Sequence, residues 1–199
     1  MHLFSDYRVS GLENIPKAPF LLTVNHMSYW DAPAAGSQFE DILPTLTARK
    51  YKGTWVGFLM HLGTPVWVEQ EASDRQALMI ALKVLQHGYP LAIAPEGTRS
   101  KSGALQAARE GAAFIATRAN VPILPVAVWG TNQIFKTLRP EAHVKIGKPY
   151  QLPEGRAKGD QLTVYTERIM CALAALLPEQ LHGYYAGNPL IAEMAKVVR

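Results

Sequence analysis

The chain of 199 residues holds a single cysteine, Cys171. That excludes a disulfide framework and any zinc site built on a cysteine pair, and it fits a reducing compartment. Long hydrophobic runs are also missing. No stretch reaches the roughly 18–20 uninterrupted apolar residues of a transmembrane helix, and the runs Trp55–Leu62 and Ala172–Leu177 fall far short. The first residues, Met1 to Arg8, lack the apolar centre of a signal peptide. Charge is sparse, at 18% of residues against 48% hydrophobic, which excludes a disordered tail or a charged arm. There is no internal repeat and no low-complexity tract. G-x-G-x-x-G, the P-loop, H-E-x-x-H and G-x-S-x-G are all absent. Dinucleotide oxidoreductases, P-loop nucleotidases, zincins and ordinary α/β-hydrolases therefore lose most of their support.

What is present predicts one domain over residues 1–199, long enough to bury its own core. Short apolar runs bounded by Gly, Pro or Asn read as buried strands: Phe20–Val24, Pro65–Val68, Leu91–Ala94, Ile123–Val128 and His143–Ile146. Helical spacing predicts helices over Ser73–His87, Ala104–Ala119 and Leu162–Leu177. Strands alternating with helices give an α/β fold, and runs apolar on both sides put a central sheet under helices on both faces. The Pro149–Gly155 stretch sets off a main body, about residues 8–150, from a helical C-terminal segment, about 160–199. The net charge of +4 suits anionic partners without choosing among phosphate esters, anionic lipid and nucleic acid. The bases are scattered and no nucleic-acid module is visible, so nucleic acid is not expected.

Two polar blocks follow predicted strands. In Asn25-His26-Met27-Ser28-Tyr29-Trp30-Asp31, a His and an Asp stand five positions apart where the chain leaves a strand. A carboxylate folded back on one ring nitrogen fixes the tautomer and raises the basicity of the other, which makes His26 a candidate base and Asp31 its orienting partner. Asp31 as a plain helix cap is the other reading. In Pro95-Glu96-Gly97-Thr98-Arg99-Ser100, Gly97 permits a close turn and Arg99 offers a planar fork suited to phosphate. Thr98 and Ser100 add hydroxyls, and Glu96 either holds Arg99 or meets a substrate hydroxyl. A polar turn with a surface ion pair is the alternative. A third stretch, Val121-Pro122-Ile123-Leu124-Pro125-Val126, reads by itself as core packing.

Taken together and in order, these blocks resemble the glycerolipid acyltransferase family that contains the 1-acylglycerol-3-phosphate acyltransferases. Its N-H-x-S-x-x-D block is matched by Asn25, His26, Ser28 and Asp31, its P-E-G-T-R-S block by Pro95–Ser100, and its V-P-I-x-P-V run by Val121–Val126. The lead-in Val9–Pro16 is similar as well, so the likeness covers about residues 8–150. It implies transfer of a fatty acyl group from acyl-CoA or acyl-carrier protein to the hydroxyl of a lysophospholipid or glycerol-phosphate acceptor, in phospholipid biosynthesis. His26 is then the base, Asp31 its partner, and Glu96, Gly97, Thr98 and Arg99 substrate-binding residues. No cofactor and no metal are expected. None of the other histidines has a ligand-like partner, and Cys171 sits in an apolar helical pattern as a buried structural thiol.

One departure stands out. The family usually closes a G-x-x-x-x-x-R block with a phosphate-binding arginine, and here Gly63–Val68 is followed by Glu69 and Gln70. Either another base substitutes, with Lys50 and also Arg49, Lys52 and Arg75 as candidates, or the acceptor is not the usual glycerol phosphate. The basic cluster before Trp55–Leu62 reads either as a contact with an anionic membrane surface or as the flank of an ordinary core helix. Peripheral attachment to the cytoplasmic face of the cell membrane is the expectation, for a stripped catalytic domain with only 24 residues before Asn25. A lipid-binding relative with weak catalysis and an acyl-thioesterase are the competing readings.

Overall fold

The computed structural model describes residues 6–39, 43–54, 57, 64–68, 74–133 and 141–199. Seven strands form one sheet: β1 (Asp6–Ser10), β2 (Leu21–Val24), β3 (Pro44–Ala48), β4 (Thr64–Val68), β5 (Leu91–Ile93), β6 (Ile123–Trp129) and β7 (Glu141–Ile146). Their order is β1-β7-β6-β2-β5-β3-β4. The five strands from β6 to β4 are mutually parallel, β7 runs antiparallel to β6, and β1 lies parallel to β7. The helices are α1 (Asp31–Gly36), α2 (Asp74–Gln86), α3 (Gly111–Ala119), α4 (Asp160–Leu176) and α5 (Leu190–Val198). Among the described residues, no helix is long and apolar enough to cross a membrane.

Successive strand residues point to opposite faces, and the core follows that alternation. On one face Leu22, Leu124, Val126 and Val128 pack with Ala34 and Ala35 of α1. On the other, Leu21, Leu91 and Ile123 pack with α2 and α3, reached through Leu82, Leu85, Ala112 and Ile115. The buried side of α4, from Met170 to Leu176, joins Met194 and Val198 of α5. The sheet is therefore covered on both faces, as its continuous apolar runs require.

Two neighbouring strands in the middle of the sheet send the chain in opposite directions. From β2 it passes through α1 to β3 on one side, and from β5 it passes through α3 to β6 on the other. Crossovers of one hand that leave to opposite sides must use opposite faces, which is where α1 and α3 lie. That divergence sets a topological switch point at the carboxyl ends of β2 and β5, where α/β sheets form the crevice that binds their ligands.

Three sequence expectations change. A helix over Ala104–Ala119 is observed only from Gly111. The preceding amides are taken by distant acceptors: Leu105 N–H by Leu181 C=O, Gln106 N–H by Glu96, Ala108 N–H by the Tyr185 hydroxyl and Arg109 N–H by Pro95 C=O. The Pro149–Gly155 stretch does not simply separate two parts, because Tyr150 exchanges both backbone hydrogen bonds with Ile123 at the start of β6. Strands β1 and β3 were not expected. Trp55–Leu62, apart from Gly57, lies outside the described residues, as do Glu69 and Gln70.

Leu124 is fully buried between the two layers. Leu124→Ala should cost about 2–5 kcal/mol in urea unfolding. Val164→Ala, at a half-exposed position on α4, should change stability by no more than about 0.5 kcal/mol. Equal effects at the two positions would contradict this placement of the core.

Candidate active site

The crevice is built from the segments that follow β2, β5 and β6. As the chain leaves β2, the buried Asn25 side chain extends the ladder to β6. Its amide nitrogen donates to Val128 C=O (2.7 Å) and its oxygen accepts from Val128 N–H (2.8 Å). That pairing holds the backbone extended to the end of the strand. The next residue is His26, whose ring then stands at the sheet edge.

Asp31 is almost fully buried, at 1% exposure. Its Oδ2 accepts from the N–H groups of Met27 (2.5 Å) and Ser28 (2.6 Å), and its Oδ1 from the Thr131 hydroxyl (2.5 Å). His26 Nδ1 lies 3.1 Å from the same Oδ2. Backbone amides only donate, so Oδ2 is an acceptor and Nδ1 is the donor that faces it. Nε2 is left to accept a proton. The His26 side chain keeps 27% of its surface exposed, enough for a substrate to reach it. Asp31 is the first residue of α1 but caps no helix amide: α1 has no side-chain cap, and the carboxylate turns back to the N–H groups of Met27 and Ser28, so the plain helix-cap reading is set aside.

Glu96 is buried and turned inward. Its Oε1 accepts from His26 N–H (2.9 Å) and its Oε2 from Gln106 N–H (2.9 Å). Both oxygens serve the main chain, and neither meets Arg99. Burial pushes the Glu96 carboxyl above its ordinary range, against the opposing pull of the His26 and Gln106 N–H groups. His26 C=O accepts in turn from Ser100 N–H (2.7 Å). Two bonds thus tie the histidine backbone to the second block, about seventy residues away in sequence.

Gly97 has φ of +70°, and a Cβ there would meet Arg109 Nε at 3.2 Å and Cδ at 3.3 Å. Its own N–H closes the turn onto Ala94 C=O. Gly97 N–H is therefore committed and is not an open donor. Thr98 is exposed, and Ser100 Oγ is spent on Ala104 C=O and Gly103 N–H, organising its own loop.

Arg99 is half-buried. Its guanidinium carbon lies 3.6 Å from the centroid of the Tyr29 ring, and Nη2 donates to the Tyr29 hydroxyl at 2.8 Å. Tyr51 meets Tyr29 edge-on (6.3 Å, 89°), and Lys50 Nζ lies 5.4 Å from the Tyr51 ring centroid. Lys50 and Arg99 therefore belong to one aromatic-bridged cluster, because β3 ends at the same sheet edge as β2 and β5. Arg75 stands exposed at the start of α2.

Tyr29, Tyr51 and Thr131 were not singled out in the sequence. The useful signal for Thr131 was its place just past a parallel strand; Tyr29 lay inside the His–Asp block, where its aromatic character had no evident use. Among the described residues, no group of three or more His, Cys, Asp or Glu side chains is placed to hold a metal ion. A cavity of about 480 Å³ between Tyr150, Leu152, Arg168 and Met194 lies by the opposite sheet edge, away from His26.

Residues 6–129 match the family model described as Acyltransferase. Among curated proteins, the chain is 31% identical over 129 residues to the 1-acyl-sn-glycerol-3-phosphate acyltransferase of Pseudomonas aeruginosa, covering 61% of this chain and 48% of that one. It is 29% identical over 139 residues to the chloroplastic LPAT1 1-acyl-sn-glycerol-3-phosphate acyltransferase of Arabidopsis thaliana, covering 67% and 39%. It thus spans half or less of these relatives. The crystal structure of the 1-acyl-sn-glycerophosphate acyltransferase PlsC from Thermotoga maritima superposes with a TM-score of 0.62 at 29% identity, covering 84% of this chain and 70% of that one.

Two outcomes follow from the geometry. Ionising Glu96 costs the folded state, so its contribution to stability is fully present below the ordinary carboxylate range and is lost as pH rises through the raised value. Relative to Glu96→Gln, the wild-type chain should lose stability as pH rises above the ordinary carboxylate range. A constant difference in urea unfolding over that rise would contradict the shift. Gly97→Ala should cost about 1–2 kcal/mol for the left-handed backbone alone, measured as a lowered midpoint of unfolding.

Proposed function

The chain belongs to the Acyltransferase family, and on that premise we propose that it transfers a fatty acyl group from a thioester to the hydroxyl of a glycerol-phosphate acceptor. The acceptor class is a lysophospholipid of the 1-acylglycerol-3-phosphate type, the donor is acyl-CoA or acyl-carrier protein, and the setting is phospholipid biosynthesis. The observation that carries this reading is the pairing of His26 with a buried Asp31 at the same crevice as the Arg99–Tyr29 cluster.

A hydroxyl is a weak nucleophile at neutral pH and needs a base in reach of its proton. His26 Nε2 takes that proton as the hydroxyl oxygen bonds to the thioester carbon. Asp31 holds Nδ1–H and stabilises the imidazolium that forms. The carbonyl oxygen gains negative charge in the tetrahedral intermediate. The main-chain N–H groups of Thr98 and Arg99 make no hydrogen bond among the described residues and supply donors for it. As the intermediate collapses, the carbon–sulfur bond breaks and His26 returns the proton to the departing thiolate. Glu96 acts by positioning, since it pins the His26 backbone. Arg99 anchors the acceptor phosphate, with Lys50 in the same aromatic-bridged cluster.

Attack is direct, with no acyl-enzyme. Cys171 is fully buried, and burial pushes its thiol up to about 12. Ser28 Oγ accepts from Trp30 N–H inside the turn. An anion anchor beside the base favours a phosphorylated acceptor over water, which sets acyl transfer above thioester hydrolysis.

Residues 1–199 act as one catalytic unit in this reading, working at the cytoplasmic face of the cell membrane. Arg49, Lys50 and Lys52 are exposed at the sheet edge that carries the site. They suit an anionic lipid surface, within reach of a substrate that lives there. Binding to vesicles of anionic lipid should fall as salt rises, and equal recovery in the supernatant with and without such lipid would remove this part of the proposal.

His26→Ala should lower kcat for transfer from acyl-CoA to lysophosphatidic acid by about 10²–10⁴. Full activity in that variant would overturn the base assignment. Arg99→Ala should raise the acceptor KM about tenfold to a hundredfold while leaving phosphate-free lysolipids unaffected. An equal rise for both acceptor types would remove the phosphate-anchor role.

A further inference from the structure

We infer that Tyr29 is a positioning residue that aims Arg99 and thereby sets where an anionic acceptor sits relative to His26; this rests on the acyl-transfer reading above. The Arg99 guanidinium carbon lies over the Tyr29 ring, 3.6 Å from its centroid, and Nη2 donates to the Tyr29 hydroxyl at 2.8 Å. No carboxylate pairs with Arg99 among the described residues. A half-buried cation with an aromatic floor and no counter-ion keeps its remaining N–H groups for a ligand. A π face attracts the guanidinium without neutralising its charge, whereas a carboxylate would compete with the incoming phosphate.

Tyr29 has a second property that makes it a spacer. It lies three residues after His26 and two before Asp31, inside the turn whose amides close onto the Asp31 carboxylate. The floor under the anion site and the base are therefore parts of one short rigid segment. Tyr51 meets the Tyr29 ring at 89° and carries Lys50 on its own face, so the ring is supported on the side of the second cation as well. An arginine side chain has several rotatable bonds, and stacking removes the freedom that would otherwise blur the distance between phosphate and reacting hydroxyl.

The test is a double-mutant cycle of Tyr29→Ala with Arg99→Ala, read first as binding of sn-glycerol 3-phosphate by calorimetry and then as acceptor kinetics. Tyr29→Ala should weaken glycerol 3-phosphate binding about threefold to thirtyfold. It should have no effect in the Arg99→Ala background, because both act through one guanidinium. The KM of the phosphorylated acceptor should follow the same pattern. Tyr29→Phe keeps the ring and should recover most of the binding, which also separates the effect from loss of folding. Unchanged binding in Tyr29→Ala, or an equal further loss in the Arg99→Ala background, would overturn the inference. If the wild-type chain binds glycerol 3-phosphate with this coupling but transfers no acyl group, the Tyr29 role stands and the acyl-transfer reading fails.

Discussion

The buried Asp31 carboxylate is the contact on which the site depends. An ionisable group at 1% exposure is tolerable only when its oxygens are met by donors. Here the donors are the N–H groups of Met27 and Ser28, the Thr131 hydroxyl and the His26 ring. Two of them are backbone groups within the same short turn, so satisfying the carboxylate also dictates the path of the chain from the end of β2 into α1. The imidazole inherits its tautomer from that arrangement. Local folding and chemical competence are one requirement at this point.

The sheet supplies what the turn cannot. Parallel strands deliver their carboxyl ends to one edge, and the opposed crossovers from β2 and β5 leave a crevice there. Asn25 carries the ladder one residue beyond β2 by pairing with Val128, and Glu96 bridges from the β5 side to the His26 N–H. The histidine backbone is thus held from both neighbouring strands while its ring stays open to the crevice. Polar groups that would be costly if unpaired are matched pairwise across the junction. The cations meet the same edge, Arg99 after β5 and Lys50 after β3, and aromatic rings separate them.

Much of this was legible beforehand where local pattern and tertiary need coincide. The apolar runs at 20–24, 91–94 and 123–128 became strands because a central parallel sheet buries both faces, and that leaves a near-continuous apolar signal, while 143–146 lies in the antiparallel β7 and alternates buried with half-buried residues. β1 and β3 were missed. Asp6–Ser10 mixes charged and polar residues at an edge, and Pro44–Ala48 begins with proline and holds two threonines. The helix expected from Ala104 starts late because the amides from Leu105 to Arg109 bond to Leu181, Glu96, Tyr185 and Pro95. Two of those partners, Leu181 and Tyr185, lie more than seventy residues away, outside any window of local sequence.

The sequence by itself determined the α/β alternation and the His26–Asp31 spacing, since a five-residue interval closes a turn through local bonds alone. It also placed Glu96 through Arg99 directly after a strand. Only the tertiary structure decided their tasks. Glu96 turns inward to the His26 backbone, Gly97 N–H is consumed by its own turn, and Arg99 finds Tyr29 as its floor. The Glu96 and Arg99 contacts depend on β2 and β5 lying side by side, which brings residues about seventy positions apart together, whereas the Gly97 turn is local. A non-local pairing of that kind follows from topology and has no local signature for a sequence to carry.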